Sequence, residues 1–132
     1  MMKKRKSRTN DAATTPAHAD ESSLVAWEQN PQAQALRVDL QSGAFFILPY
    51  SQFGFAHFAR ETDDETLRIS FGTHDVRVVG RNLRELGCAL QKLAVDWIRE
   101  MPARYAALCE KGCVFIERIE VAEVSEEDSP NR

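Results

Sequence analysis

Three cysteines and three histidines are the side chains of this chain best suited to nucleophilic, redox or metal chemistry. Cys109-Glu110-Lys111-Gly112-Cys113 holds two thiols near a turn, a spacing that suits a shared metal or a reversible disulfide. A tetrahedral zinc site would have to recruit His57 and His74. Finger-type sites use a close ligand pair on both sides, and the histidines supply none. The two cysteines therefore read as small apolar residues, Cys109 packing with Leu108 behind a helix end and Cys113 opening the last strand. Cys88 is expected on the flank of a Leu-rich helix, partly buried, where apolar surroundings leave a thiol inert. His74-Asp75 would need to converge as a base and its orienting carboxylate, whereas neighbours in a turn commonly diverge. Nucleophile-elbow, P-loop and H-E-x-x-H spacings are absent from the sequence. No catalytic, cofactor-binding or metal-ligating residue is assigned on these grounds, and no cofactor is expected. An enzyme or metal protein is the third choice of function.

Two other groups of residues suit binding. Lys3, Lys4, Arg5, Lys6 and Arg8 form a compact basic head able to make nonspecific phosphate contacts. They are five of 17 basic residues, so the chain beyond Arg8 carries 12 basic against 20 acidic side chains, a net −8. Such an acidic body repels a phosphate backbone, which confines any nucleic-acid affinity to the head. The second group is aromatic: Tyr50, Phe53 and Phe55 are candidate partner-binding residues, forming one wall of a hydrophobic groove if they are exposed together. The run Gly54-Phe55-Ala56-His57-Phe58 departs from the aromatic RNA-binding strand pattern at both ends. Phe53 stands where that pattern has a basic residue and Arg60 where it has an aromatic one.

The elements that must position these groups follow from periodicity. The length of 132 residues suits one domain. Residues 1–23 read as a disordered basic and polar tail, 24–124 as the single folded domain, and 125–132 as a disordered acidic tail. Leu36, Val38 and Leu40 alternate with charges as in a half-buried strand, Gln41-Ser42-Gly43 supplies a hairpin loop, and Phe45-Phe46-Ile47-Leu48 reads as the partner. Tyr50–Phe58 is either a strand or a short helix. Leu67–Phe71 and Val76–Gly80 continue as strands of an antiparallel meander.

Asn82 is placed as a helix N-cap with Glu85 returning the bond. Leu83, Leu86, Leu90, Leu93 and Trp97 then recur at three- and four-residue spacing, which predicts one long amphipathic helix over Asn82–Met101. Pro102 ends it, Ala103–Glu110 forms a second helical piece, and Val114–Val121 returns as a bulged strand. The expected fold is α+β: an antiparallel sheet of about five to six short strands covered by the long helix that precedes the last strand.

No run of apolar residues is long enough to span a bilayer, and the odd, sparse cysteines favour a reducing, cytoplasmic compartment. The functional expectation is a non-enzymatic protein-binding or assembly module. Its partner is another protein or a second copy, a homodimer formed by edge pairing at Val114–Val121, or a peptide bound along that edge. The alternative is a nucleic-acid-associated accessory protein that uses the basic head. No membrane partner is expected.

Overall fold

The computed structural model describes residues 25–109 and 112–124. Their dominant local signal is alternation, and the chain obeys it by forming two four-stranded sheets. The first sheet is mixed. It contains β1 (Trp27–Gln29), β2 (Ala35–Asp39), β3 (Phe45–Pro49) and β7 (Val95–Arg99), in the spatial order β1-β7-β2-β3. The second is antiparallel throughout, with β4 (Phe53–Arg60), β5 (Glu65–Phe71), β6 (His74–Arg81) and β8 (Phe115–Glu123) lying side by side as β4-β5-β6-β8. Each sheet directs one row of apolar side chains inward: Leu36, Val38, Leu48, Val95 and Ile98 from the first, and Leu67, Ile69, Phe71, Val76, Val78, Ile116 and Ile119 from the second. All belong to one hydrophobic cluster.

Turn chemistry explains the hairpins. Leu40 N–H donates to Ala44 O at 2.9 Å, and Gly43 N–H donates back to Leu40 O at 2.9 Å. The three-residue loop between them ends on Gly43 at φ +98°, a left-handed conformation that glycine adopts without steric cost. Tyr50–Gln52 forms a 3-10 turn that carries the chain from β3 in the mixed sheet to β4 in the antiparallel one. Tyr50–Phe58 is thus a 3-10 turn followed by a strand. In β6, Gly80 lies so close to β8 that a Cβ there would collide with the Phe115 carbonyl oxygen. The close approach falls where the β6–β8 register shifts, as the bulge expected in the last strand requires.

The α+β expectation is overturned. The described residues are mostly β, and the long covering helix over Asn82–Met101 is not formed. Its first part is α1 (Arg84–Gln91), eight residues that bury Leu86, Ala89 and Leu90. A hydrogen-bonded stop then closes the helix: Leu93 N–H donates to Leu90 O at 2.8 Å and Ala94 N–H to Ala89 O at 3.0 Å. Leu93 adopts φ +52°. This is the Schellman pattern with leucine at the position glycine normally takes. Beyond it, Val95–Arg99 pairs antiparallel with β1 and parallel with β2 as β7, an interior strand of the mixed sheet. The capping box is not formed either. Asn82 is left-handed at φ 60° and its side-chain amide donates to Cys113 O, while Leu83 N–H at the helix entrance donates to Glu65 Oε1 at 2.7 Å. The second helical piece is a 3-10 segment, Ala103–Leu108.

No helix among the described residues is long and apolar enough to cross a membrane.

Candidate functional site

The chemistry-bearing side chains do not converge. Cys109 and Cys113 are joined to each other in a disulfide, with Cα atoms 6.0 Å apart. This bond ties the end of the 3-10 segment to the approach of β8, beside a cleft of about 200 Å³ lined by Arg81, Asn82 and Phe115. The two thiols are therefore partners, where the sequence suggested separate packing residues. Cys88 is exposed on α1, in contrast to the partly buried position expected for it. His57 lies opposite Arg68 on the antiparallel sheet, and His74 approaches the Phe46 ring, with centroids 5.8 Å apart. Asp75 instead pairs with Arg68 at 3.1 Å, because successive strand residues point to opposite faces. Among the described residues no group of three or more His, Cys, Asp or Glu side chains could hold a metal ion.

The three aromatic candidates divide. Tyr50 is only 7% exposed, and its hydroxyl donates to Val95 O at 2.7 Å. Burial, and after it the Asp96 charge, raise its pKa from 10.0 to about 12. Phe53 packs on Tyr50 and Phe71, at ring-centroid distances of 6.4 and 5.9 Å. Phe55 alone is well exposed, at 50%, with the Arg68 guanidinium 5.8 Å from its ring. Tyr50 and Phe53 thus serve the core while Phe55 faces outward from β4. The residues Lys3, Lys4, Arg5, Lys6 and Arg8 lie outside the described residues.

On the outer face of the antiparallel sheet three arginines share two carboxylates. Arg77 and Arg118 both contact the Glu120 carboxylate, at 3.1 and 3.0 Å, and these hydrogen bonds, Arg77's first, hold it below its ordinary pKa. Arg68 is paired with Asp75.

The feature that stands apart is the edge at β3. Phe45 and Ile47 are 58% and 60% exposed, while Leu48 is buried beneath them. The β2–β3 register places Phe45 beside Asp39 and Ile47 beside Arg37, so the two apolar side chains stand on the outer face next to an acid and a base. The hydrogen bond from Leu40 to Ala44 closes one end of this ladder and that from Tyr50 N–H to Gln34 O, at 3.0 Å, closes the other. Bonded and non-bonded pairs alternate along an antiparallel ladder, so Ala44, Phe46, Leu48 and Tyr50 turn their backbone groups toward β2. Phe45, Ile47 and Pro49 turn theirs away from the sheet.

Among the described residues two of the other three edges, β1 and β8, are blunted, and β4 is interrupted at one end. β1 is only three residues long. β4 contains the register shift at Gly54, ends in Arg60 and is packed by α1. At β8, the Ile116 carbonyl accepts from Met101 N–H at 2.9 Å and Ile119 N–H donates to Glu100 Oε2 at 2.8 Å. The edge expected to be free at Val114–Val121 is therefore occupied at its middle. Short edges, bulges, charges and covering segments are the devices that keep sheet edges from pairing. β3, Phe-Phe-Ile-Leu-Pro, carries none of them before its final residue. Nothing in the sequence separated it from the other strands, because four consecutive apolar residues hide which two face outward.

The described residues form a mostly-β domain of two packed sheets with an apolar edge at β3. The chain matches no protein-family model, and no curated protein or solved structure resembles it at a significant level.

Proposed function

We propose that this protein is a non-enzymatic protein-binding or assembly module whose contact element is the outer edge of β3. One observation carries the reading: among the described residues β3 is a sheet edge with outward-facing Phe45 and Ile47, while β1 is only three residues long and β8 is hydrogen-bonded by Glu100 and Met101. An extended strand added there would gain main-chain hydrogen bonds from Phe45 and Ile47 and an apolar contact with their side chains. A cytoplasmic location, read from the odd and sparse cysteines, belongs to the same proposal, and the Cys109–Cys113 disulfide counts against it. The alternative of a nucleic-acid accessory rests on the basic head at Lys3–Arg8, which lies outside the described residues.

The test is an NMR titration of the full chain with a peptide reproducing residues 44–49. Saturable shift changes centred on Phe45–Pro49 and lost in Ile47→Lys are expected. Changes centred elsewhere, or none, overturn the assignment of this edge.

A further inference from the structure

We infer that the Cys109–Cys113 disulfide is a reversible redox site, opened by a thiol and closed by a disulfide of the glutathione class. The bond joins cysteines only four positions apart in sequence. It therefore restricts little of the unfolded chain, and the stabilisation a cross-link brings by that route shrinks with the loop it closes. Hydrogen bonds hold the same segments without it. Met101 N–H reaches Ile116 O at 2.9 Å, Tyr105 N–H reaches Pro102 O at 2.9 Å inside the 3-10 segment, and the Asn82 side-chain amide donates to Cys113 O at 2.9 Å. The sheets thus do not depend on the sulfurs being joined.

Access and charge favour exchange. Both cysteines are only half-buried and line the cleft beside Arg81 and Asn82, so a thiolate reaches the sulfurs from solvent. The Arg81 guanidinium, 5.1 Å from the centre of the Phe115 ring, brings positive charge to that cleft. A cation there draws an anionic thiol and favours the thiolate that leaves when the bond breaks. Cys88 indicates the setting. It is free and exposed on α1, a state that an unpaired thiol keeps where thiols stay reduced. In such a setting an accessible disulfide lasts only while an oxidant renews it, so a reversible bond is the form that suits both the pair and the free thiol.

The exchange balances in two steps. A glutathione thiolate attacks one cysteine sulfur; the S–S bond breaks, a mixed disulfide forms, and the other cysteine leaves as a thiolate that takes up a proton. A second glutathione thiolate attacks the glutathione sulfur of the mixed disulfide, releasing oxidised glutathione and the remaining cysteine, which is protonated in turn. Two electrons pass from two glutathiones to the protein, and oxidised glutathione drives the reverse. Opening the bond frees the end of the 3-10 segment from the approach to β8.

The test uses the full chain carrying Cys88→Ser, equilibrated under native conditions with mixtures of reduced and oxidised glutathione, then alkylated and weighed by mass spectrometry. Two alkylated cysteines are expected in excess reduced glutathione and none in excess oxidised glutathione, with the same midpoint reached from either direction. Amide exchange over residues 103–109 should be about tenfold faster in the reduced form while both sheets keep their protection. Arg81→Gln should slow reduction by glutathione roughly threefold or more.

A bond that survives excess reduced glutathione in the folded chain, yet opens once guanidinium unfolds it, is a permanent cross-link and overturns the inference. Reduction that strips protection from both sheets does the same, because the bond is then structural. Thiols that never form the internal bond in excess oxidised glutathione also overturn it. An unchanged reduction rate in Arg81→Gln overturns the part assigned to that guanidinium.

Discussion

Tyr50 sits at the 3-10 turn between the two sheets and closes the core with a polar group that is satisfied from within. Its ring stacks on Phe71 of the antiparallel sheet at 6.2 Å, and its hydroxyl reaches Val95 O of the mixed one. Tyr50→Phe keeps the ring but strands that carbonyl, and chemical denaturation should show a loss of about 1–2 kcal/mol. The same burial makes the phenol a pH reporter. Its pKa is raised from 10.0 to about 12 in the folded chain, so the neutral hydroxyl is the form the fold favours. The stability this contributes is complete below pH 10.0 and is lost as pH rises toward about 12. Phenolate absorbance should show a late step near that upper value that is absent from Tyr50→Phe. Finding the same late step in the variant would assign it to another group.

Among the elements, α1 and β7 are the pair in which leucine at a glycine position decides the fold. Leu93 holds φ +52° at the helix stop and is half-exposed, so its side chain stabilises the core less than a buried leucine would. Glycine relieves the left-handed strain and a β-branched residue worsens it, so Leu93→Gly should be more stable than Leu93→Val by about 1–2 kcal/mol. Equal midpoints for the two would mean that the backbone there is relaxed. This stop also explains what could be read from the residues alone. The strands β2, β3, β5, β6 and β8 and the Gly43 hairpin were legible because polar and apolar residues alternate or a glycine marks the turn. The helix was drawn too long because Leu90, Leu93 and Trp97 keep helical spacing across a turn that carries no glycine to announce it. The contact edge was legible only as a strand. Its exposed parity depends on which side of Phe45-Phe46-Ile47-Leu48 the second sheet covers, a long-range fact. Tyr50 and Phe53 were sought as surface aromatics, yet the crossing between sheets draws them inward.

At the scale of the whole molecule the two sheets are fastened by Glu100. One carboxylate oxygen accepts from Gln41 N–H beside the hairpin of the mixed sheet and the other from Ile119 N–H in the antiparallel sheet, both at 2.8 Å. Glu100→Ala should cost about 2 kcal/mol and speed hydrogen exchange most at Gln41 and Ile119. Uniform acceleration across the chain would instead mark Glu100 as a general stabiliser with no role as a fastener. The placement of β7 has a kinetic side as well. Glu28 and Trp97, joined across β1 and β7 by a side-chain hydrogen bond, are 69 residues apart in sequence, and β2 waits for the same strand. During synthesis the β2–β3 hairpin therefore leaves the ribosome with both of its margins open. It stays unsheltered until Val95–Arg99 arrives to sit between β1 and β2. Contacts of such long range slow folding and lengthen the exposure of sticky strands, so the nascent chain is most at risk of aggregation just before β7 emerges.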